Sequence, residues 1–299
     1  MVSISSPDRV VYPDSNTTKA AVVRHYSAVG ERMLPHIAGR PLTLERYPKG
    51  IAGKGFMQKN ASGYFPDFIE RHEVPRADGI TTYPVVHDVA GIEYLANQNT
   101  ITFHVPAATI DDFEHPDRLI IDLDPPEGSG GSAHAAAWAT KGLLDELGLA
   151  SVPVATGSKG FHITAAIGRD LSVPEASEFG QLAAALLSDR HPSLMTTEFR
   201  KANRAGRVFC DWLRNRWGAT TVVPWSLRAR RRPSVAVPIT WGELDEVSPA
   251  GFELDQLPTA DPLEELLAAP GKIRPALIAI REMAAAADIV AEPFDRFRS

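Results

Sequence analysis

Two aspartates one residue apart, Asp122 and Asp124, end a hydrophobic run that begins at Leu119 and is followed by Pro125 and Pro126. Because side chains alternate along a β-strand, the run predicts a strand with its apolar side chains on one face and both carboxylates on the other, about 7 Å apart. Like charges at this spacing repel, and partial burial adds to the repulsion, so a cation between them stabilises the pair. The pattern favours a hard divalent ion such as Mg²⁺ or Mn²⁺, and it is equally compatible with a solvated strand end before a turn.

Composition places the chain among ordinary globular proteins. Its 299 residues are 44% hydrophobic and 23% charged, which is enough for a sizeable core. The single cysteine, Cys210, excludes an intrachain disulfide and indicates a reducing compartment. The N-terminus lacks the pattern of a signal peptide, and no apolar run is long enough to cross a bilayer. We therefore expect a cytoplasmic protein.

Positive charge is concentrated in one segment. The net charge of −6 argues against a nucleic-acid coat protein, yet the stretch from Glu198 to Arg232 has ten basic residues and only two acidic ones. The ten are Arg200, Lys201, Arg204, Arg207, Arg214, Arg216, Arg228, Arg230, Arg231 and Arg232. Such a zone favours a localised phosphate-binding surface; the alternative is a solvated face paired with acids elsewhere. At strand spacing, Arg228 and Arg230 would share a face suited to a triphosphate or a nucleic-acid backbone.

Periodicity predicts helices and strands that mix without strict alternation. The predicted helices are 17–37, 133–147, 174–187, 263–269 and 274–286, and the predicted strands are 42–47, 100–105, 119–124, 207–211 and a hairpin over 152–167. No repeat or Gly/Ser/Pro linker divides the chain. These features predict an α+β (mixed α/β) fold, with helices flanking antiparallel or mixed sheets, as a single domain over 1–299.

Two further constellations carry chemistry. Asp211 ends its own apolar strand, and three carboxylates at one sheet edge would hold two divalent ions suited to in-line displacement at phosphorus. Asp211 is alternatively a helix N-cap or a partner of the neighbouring arginines. The segment from Thr156 to His162 has small residues that admit an anion to the backbone N–H groups, with Lys159 as a point charge. A hairpin turn with a solvated lysine explains that segment equally well.

Taken together, the motifs resemble the primase–polymerase domain of bacterial ligase D, within the archaeo-eukaryotic primase superfamily. The matching stretches occur in family order: Asp8-Arg9-Val10-Val11-Tyr12-Pro13 with Thr17-Thr18-Lys19, Ile37-Ala38-Gly39-Arg40-Pro41, Gly79-Ile80-Thr81-Thr82-Tyr83-Pro84, Phe103-His104-Val105-Pro106, Ile121-Asp122-Leu123-Asp124-Pro125, Thr156-Gly157-Ser158-Lys159-Gly160-Phe161-His162, Arg204-Ala205-Gly206-Arg207-Val208-Phe209-Cys210-Asp211 and Trp225-Ser226-Leu227-Arg228-Ala229-Arg230. Each motif is weak alone, but the ordered set is highly specific.

The resemblance implies roles for individual residues. The catalytic and metal-binding triad would be Asp122, Asp124 and Asp211. The incoming nucleotide would contact His104, Thr156, Lys159, His162 and Arg228. The DNA would contact Arg9, Lys19, Phe56, Met57, Arg204 and Arg230. Within these groups, Arg9 and Lys19 would hold a 5′-phosphate, and Phe56 and Met57 would stack on the template. Thr156 stands where the family usually has serine.

The resemblance also implies an activity. The chain would be a template-directed primase–polymerase that adds one or a few nucleotides at short gaps or DNA ends in repair, preferring NTP to dNTP. It would use two Mn²⁺ (or Mg²⁺) ions on DNA with a gap or double-strand end and a 5′-phosphate, with Ku and an ATP-dependent DNA ligase as partners in a nucleoid-associated location. An N-terminal end-binding part (about 1–100), a catalytic core (about 101–245) and a C-terminal helical tail (about 260–299) would compose the domain.

Three questions stay open on the sequence alone. The chain ends at Ser299 without an adenylation or nuclease motif, so we expect a stand-alone polymerase. The acidic triad by itself also permits a two-metal phosphodiesterase or nuclease, and the basic zone permits a non-catalytic DNA-end-binding protein. The pathway (end joining, excision repair or lesion bypass) and de novo priming are not determined.

Overall fold

A computed structural model describes residues 3–76, 79–128 and 130–292, and it confirms the mixed α/β class. The strands are β1 (Val10–Tyr12), β2 (Thr17–Thr18), β3 (Thr43–Arg46), β4 (Phe56–Gln58), β5 (Glu70–Arg76), β6 (Gly79–Val85), β7 (Thr100–Val105), β8 (Arg118–Asp124), β9 (Ser151–Ala155), β10 (Phe161–Ala166), β11 (Met195–Thr196), β12 (Val208–Asp211), β13 (Thr221–Val222) and β14 (Val237–Pro238). The helices are α1 (Lys19–Ile37), α2 (Val89–Asn97), α3 (Gly130–Glu146), α4 (Val173–Arg190), α5 (Pro262–Ala268) and α6 (Ile273–Ala286).

A six-stranded sheet carries the acidic strand near its middle. Its order is β11-β12-β8-β10-β9-β14, and every pairing is antiparallel except β11 with β12. Leu119, Ile121 and Leu123 of β8 are at most 2% exposed, and α3 and α4 pack against this strand. Their burial leaves the alternate positions, including both aspartates, on the opposite face, as the alternation predicted.

A four-stranded sheet of order β13-β7-β3-β4 lies beside the first helix pair. Helix α1 packs on α2, and α2 packs on β7. The rings of Tyr26 on α1 and Phe103 on β7 meet edge to face with centroids 5.0 Å apart. Because this contact fixes β7 against the core, it also fixes the position of His104, the next residue on that strand.

Helix α1 shows how the sequence pattern becomes structure. The Thr18 hydroxyl accepts a hydrogen bond from Ala21 N–H at 3.3 Å, which caps the helix start. The apolar stripe at helical spacing is fully buried, with every member at most 1% exposed: Val22, Tyr26, Val29, Met33 and Ile37. The helix starts two residues later than predicted because Thr17 and Thr18 pair with β1 instead.

One local prediction is wrong. Residues 229–232 form bends rather than a strand, so Arg228 and Arg230 do not share a strand face. The Arg228 N–H donates to the Ser234 carbonyl at 2.8 Å, and the Arg230 N–H donates to the Arg228 carbonyl at 2.8 Å. These two bonds close the arginine-rich segment into a compact loop, which strand spacing alone does not anticipate.

Residues from both ends of the chain share one hydrophobic core, which extends from Val11 to Ala284. Asp261 joins the C-terminal segment to α1, because its Oδ2 lies 2.8 Å from His36 Nε2 and accepts from Trp225 Nε1 at 2.7 Å. The division into three functional parts stays a prediction. Among the described residues, no helix combines the length and apolar character needed to cross a membrane.

Candidate active site

The three aspartates converge on neighbouring strands. Asp122 on β8 is directly opposite Asp211 on β12 and also opposite His162 on β10. Asp124 is two residues further along β8, on the same face. One carboxylate oxygen from each of Asp122, Asp124 and Asp211 lies within 4.8 Å of the other two. The predicted convergence of the three carboxylates is therefore present, on one face of two interior strands rather than at an edge of the sheet.

Burial raises the free-energy cost of keeping all three carboxylates ionised. Asp122 and Asp211 are only 6% and 7% exposed. Burial raises the pKa of Asp211 to about 6, and repulsion from Asp122 adds to this rise while Arg214 opposes it. Burial and the charge of Asp122 likewise raise the pKa of Asp124. Both shifts show that the three charges repel one another and that further positive charge would stabilise the ionised cluster.

Arg214 is a site residue that motif reasoning missed. Its Nε donates to Asp122 Oδ2 at 2.9 Å, and its Nη2 lies 3.1 Å from Asp211 Oδ2. Asp211 is followed by a short 3₁₀ turn, Trp212–Asn215, whose start it caps by accepting from Leu213 N–H at 3.0 Å. The available signal was the spacing of three residues between an acid at a strand end and an arginine. Asp211 therefore also has both of the alternative roles, N-cap and arginine partner.

Two histidines and an arginine lie beside the acids. His162 Nε2 lies 3.6 Å from Asp122 Oδ1. Burial, reinforced by Arg214 and Arg228, lowers the pKa of His162 to about 3. Burial and the same two arginines also lower the pKa of His104 to about 3. His104 belongs to the four-stranded sheet, and the lowered pKa values keep both imidazoles neutral at neutral pH.

The loop of the predicted hairpin connects Arg228 to the acidic strand. Arg228 Nη1 donates to the Thr156 carbonyl at 2.8 Å, and the Thr156 hydroxyl donates to the Gly160 carbonyl at 2.6 Å. Gly157 has φ of +65°, and a Cβ there would lie 2.7 Å from Arg228 Cγ. Lys159, at the exposed tip, pairs with Glu127. The loop thus brings a cationic tip, a buried hydroxyl and Arg228 to the side of the site.

Gly160 permits the closest approach of this loop to β8. A Cβ on Gly160 would overlap the carbonyl oxygen of Leu123, the residue between Asp122 and Asp124 on β8. We expect Gly160→Ala to lower the free energy of unfolding by about 2–3 kcal/mol, as overpacking of a closed contact does. Chemical denaturation measures this. The control is Gly168→Ala. The Cβ added there would lie 4.0 Å from its nearest neighbour, the Gly271 carbonyl oxygen, so this variant should change stability by less than about 0.5 kcal/mol. Equal stability of the two variants would contradict the prediction.

The donor set fits a divalent metal ion. Three carboxylates supply hard oxygen ligands in one cluster, which is the chemistry that Mg²⁺ and Mn²⁺ prefer. Burial, followed by the charge of neighbouring acids, raises the pKa values of Asp124 and Asp211, so a bound cation would favour their ionised forms. Asp122, Asp124 and Asp211 are therefore the residues that would hold the metal.

Comparison with known proteins identifies the family. The family model described as "LigD, primase-polymerase domain" matches residues 18–265. The chain belongs to the LigD primase–polymerase family. It is 35% identical to the multifunctional non-homologous end joining protein LigD of Mycolicibacterium smegmatis, over 89% of this chain and 36% of that protein. It is 32% identical to the bifunctional LigD of Bacillus subtilis, over 85% of this chain and 41% of that protein.

A solved structure shows the same fold. The polymerase domain of Mycobacterium tuberculosis ligase D, in complex with DNA, superposes with a TM-score of 0.82 at 34% identity, covering 91% of this chain and 99% of that one. The match confirms the family resemblance and the fold expected from the motifs. The chain spans about a third of the length of the curated LigD relatives that it matches.

Arg9 and Lys19, the pair that the LigD resemblance links to a 5′-phosphate, are neighbours in the structure. Lys19 N–H donates to the Arg9 carbonyl at 2.8 Å. Lys19 is 2% exposed, and its Nζ donates to the Ser5 hydroxyl at 2.6 Å. Burial and the charge of Arg9 lower the pKa of Lys19 to about 8. Arg9 donates to Asn99. The two cationic residues are therefore adjacent in the structure. Their role in binding a 5′-phosphate stays a prediction.

The remaining LigD-type DNA candidates lie at the surface. Phe56 and Met57 on β4 are 46% and 52% exposed, and the Arg46 guanidinium lies 5.6 Å from the Phe56 ring centroid. Arg204 stacks 4.0 Å over the Phe209 ring and donates to two backbone carbonyls. Arg230 is exposed on the loop after Arg228. Exposed aromatic and guanidinium groups are available to nucleic acid here, and their individual roles stay predictions.

Proposed function

We propose that this chain is a DNA-directed nucleotidyltransferase that extends a primer by one or a few nucleotides at short gaps or broken ends, with Mn²⁺ or Mg²⁺ and with NTP preferred to dNTP. The observation that carries the proposal is the cluster of three carboxylates within 4.8 Å, beside Arg228 and two neutral histidines. The fold shared with a ligase D polymerase domain solved with DNA supports it. Nucleoid association would follow from this substrate.

Each residue has a defined task in this proposal. Bound divalent ions would lower the pKa of the primer 3′-hydroxyl and neutralise charge on the triphosphate. Asp122, Asp124 and Asp211 would hold these ions, while Arg228 and Lys159 would bind phosphate oxygens. Because His162 is neutral, it would contribute a hydrogen bond rather than a charge.

Thr156 supports a preference for ribonucleotides. Its hydroxyl hydrogen is used in the bond to the Gly160 carbonyl, so only the oxygen lone pairs remain to interact with a sugar. A ribose 2′-hydroxyl can donate to those lone pairs, and a deoxyribose cannot. The threonine therefore retains the acceptor that serine usually provides in the family.

One primer-extension experiment tests the proposal. A labelled primer on gapped, tailed and unprimed templates is incubated with Mn²⁺ and either ribo- or deoxynucleotides, and a parallel reaction lacks nucleotides. Elongation that depends on the template, with faster use of NTP, is the expected result. Shortening of the label without nucleotides would indicate a phosphodiesterase or nuclease. DNA binding with no change in length would indicate an end-binding protein, and either result would overturn the proposal.

We extend the proposal to end joining because the relatives are named for that process. Filling a gap leaves a nick, and sealing it requires a ligase, so an ATP-dependent DNA ligase is the expected successor and Ku the expected end-holding partner. In a coupled reaction on gapped ends with Ku and such a ligase, joined product should form only when both this protein and nucleotides are present. Joining that is independent of this protein would contradict the extension.

The 5′-phosphate assignment has its own test. Replacing both Arg9 and Lys19 with alanine should abolish the preference for a gap whose downstream strand has a 5′-phosphate, because charge-assisted bonds to the phosphate are lost. We expect extension on the phosphorylated gap to fall about tenfold or more, to the level of the unphosphorylated gap. The measurement is the ratio of extension rates on the two gaps. The matched control is Arg24→Ala with Lys141→Ala, which removes the same charge from helix surfaces; an unchanged ratio in the Arg9/Lys19 variant would count against the assignment.

A further inference from the structure

Arg214 occupies carboxylate oxygens of two residues of the acidic triad. Its guanidinium bridges Asp122 Oδ2 (2.9 Å from Nε) and Asp211 Oδ2 (3.1 Å from Nη2). The carboxylates of Asp122 and Asp211 are buried, whereas the Arg214 side chain is 34% exposed. A single guanidinium leaves two of the three negative charges of the triad uncompensated, so the cluster is held together yet still favours a divalent cation.

The backbone, rather than Arg214, determines where these carboxylates lie. Asp122 and Asp211 are paired residues on adjacent antiparallel strands. The second oxygen of Asp211 already accepts from Leu213 N–H at 3.0 Å. The positions of the two acids are thus set by strand register and a backbone hydrogen bond. Removal of Arg214 should therefore increase the repulsion between the acids without dispersing them.

We propose that Arg214 is an internal counter-ion of the metal site: it neutralises Asp122 and Asp211 before a metal binds, and the metal must displace it from these oxygens. The inference rests on the proposed function in one respect, which is that the triad binds a divalent ion. A protein whose binding-competent form is a minor population binds its ligand more weakly in proportion to that population. Arg214 would therefore lower the affinity of the site for metal and prevent tight metal binding by the free protein.

The exposure and chemistry of Arg214 suit this role. A long side chain in a short 3₁₀ turn, one third exposed, can turn toward solvent without disturbing the core. Its planar group binds two carboxylates at once, which a lysine cannot do with the same geometry. A guanidinium keeps its charge at any pH at which proteins are folded, so the group stays charged while it competes.

The test is Mn²⁺ binding to the full chain without nucleotide or DNA, followed by electron paramagnetic resonance of free Mn²⁺ or by calorimetry. Arg214→Gln should bind Mn²⁺ about tenfold more tightly than wild type, since one charge-assisted competitor for the two carboxylates is lost. Arg207→Gln is the matched control: it removes the same charge from a side chain that donates to backbone carbonyls of Arg204 and Asn203, and its affinity should equal that of wild type.

Equal or weaker Mn²⁺ binding by Arg214→Gln would overturn the counter-ion inference and leave the proposed metal site intact. Absence of Mn²⁺ binding by both proteins would overturn the proposed metal site as well, so the two failures are distinguishable. Arg214→Lys, which keeps the charge but not the bridge, should have intermediate affinity.

Thermal unfolding gives an independent measurement. In a chelator, Arg214→Gln should melt below wild type because repulsion within the triad is unrelieved, and Mn²⁺ should raise its Tm by more than it raises the wild-type Tm. Equal Tm increments would mean that Arg214 has only a structural role.

Discussion

Asp122→Ala should abolish nucleotide addition to a gapped duplex while the protein remains folded. Asp122 is the central acid, opposite Asp211 across the strand pair and two residues before Asp124. Its loss removes a ligand from the proposed metal site, and metal ions supply several kcal/mol of transition-state stabilisation in such reactions. We therefore expect the extension rate to fall by about 10³-fold or more. Primer extension measures the loss, and circular dichroism and chemical denaturation measure the fold.

The fold should survive because the triad is a source of repulsion rather than stability. Asp124 and Asp211 both have raised pKa values, first because of burial and then because of neighbouring acids. Removing one of three like charges relieves part of that repulsion. The control is Asp145→Ala, which removes an exposed carboxylate paired with Lys141 on α3 and should leave extension unchanged. Wild-type extension by Asp122→Ala would refute the metal role, and its unfolding would refute the stability argument.

Asp117→Ala should destabilise the protein by about 3 kcal/mol or more, the lower part of the range for breaking a buried ion pair. Asp117 accepts from Arg118 Nε at 2.8 Å and also pairs with Arg40. The two arginines are 4% and 2% exposed, so removing their shared carboxylate would leave two buried cations uncompensated. Because Arg118 is the first residue of β8, this cluster also anchors the strand that carries Asp122 and Asp124. Chemical denaturation at neutral pH measures the change.

An exposed pair provides the control for this prediction. Asp111 pairs with Arg169 at 3.0 Å, and its side chain is 69% exposed, so Asp111→Ala should cost less than about 1 kcal/mol. The two variants remove the same group from the same connecting segment and differ in burial. Similar losses for both variants would contradict the argument that burial makes the Asp117 cluster important.

The same cluster predicts a pH dependence. Burial alone would raise the pKa of Asp117, but Arg118 and Arg40 overcome this and bring the pKa well below its ordinary value. A carboxyl group with a depressed folded-state pKa contributes stability that is fully present above its unfolded pKa of about 4. That contribution is lost as pH falls below this value. The difference in unfolding free energy between wild type and Asp117→Ala should therefore shrink on acidification below about pH 4, and a constant difference would count against the ion-pair explanation.

Local patterns along the chain were sufficient to predict most elements and the residues of the triad. The alternation of β8, the helical stripe of α1 and the turn residues of the β9–β10 hairpin each depend on neighbours within a few positions, so one sequence is enough to detect them. The hairpin β5–β6 and the helix α2 were missed because β5 (Glu70–Arg76) is mostly charged and α2 (Val89–Asn97) is only nine residues long. Strand spacing wrongly predicts an extended segment after Arg228. The segment is a loop because the Arg228 backbone N–H bonds to the carbonyl of Ser234, six residues away along the chain.

The sequence by itself determined that Asp122 and Asp124 share one face of a strand and that Asp211 ends another, because side-chain alternation is a local property of the backbone. Only the tertiary structure decided that β12 pairs with β8 in the register that places Asp211 opposite Asp122. It alone also decided that Arg214 bridges those two acids and that Asp117 neutralises two buried arginines. These contacts depend on strand register and on which groups are removed from water together, and the sequence shows only that Arg214 lies three residues after Asp211 and that Arg118 follows Asp117.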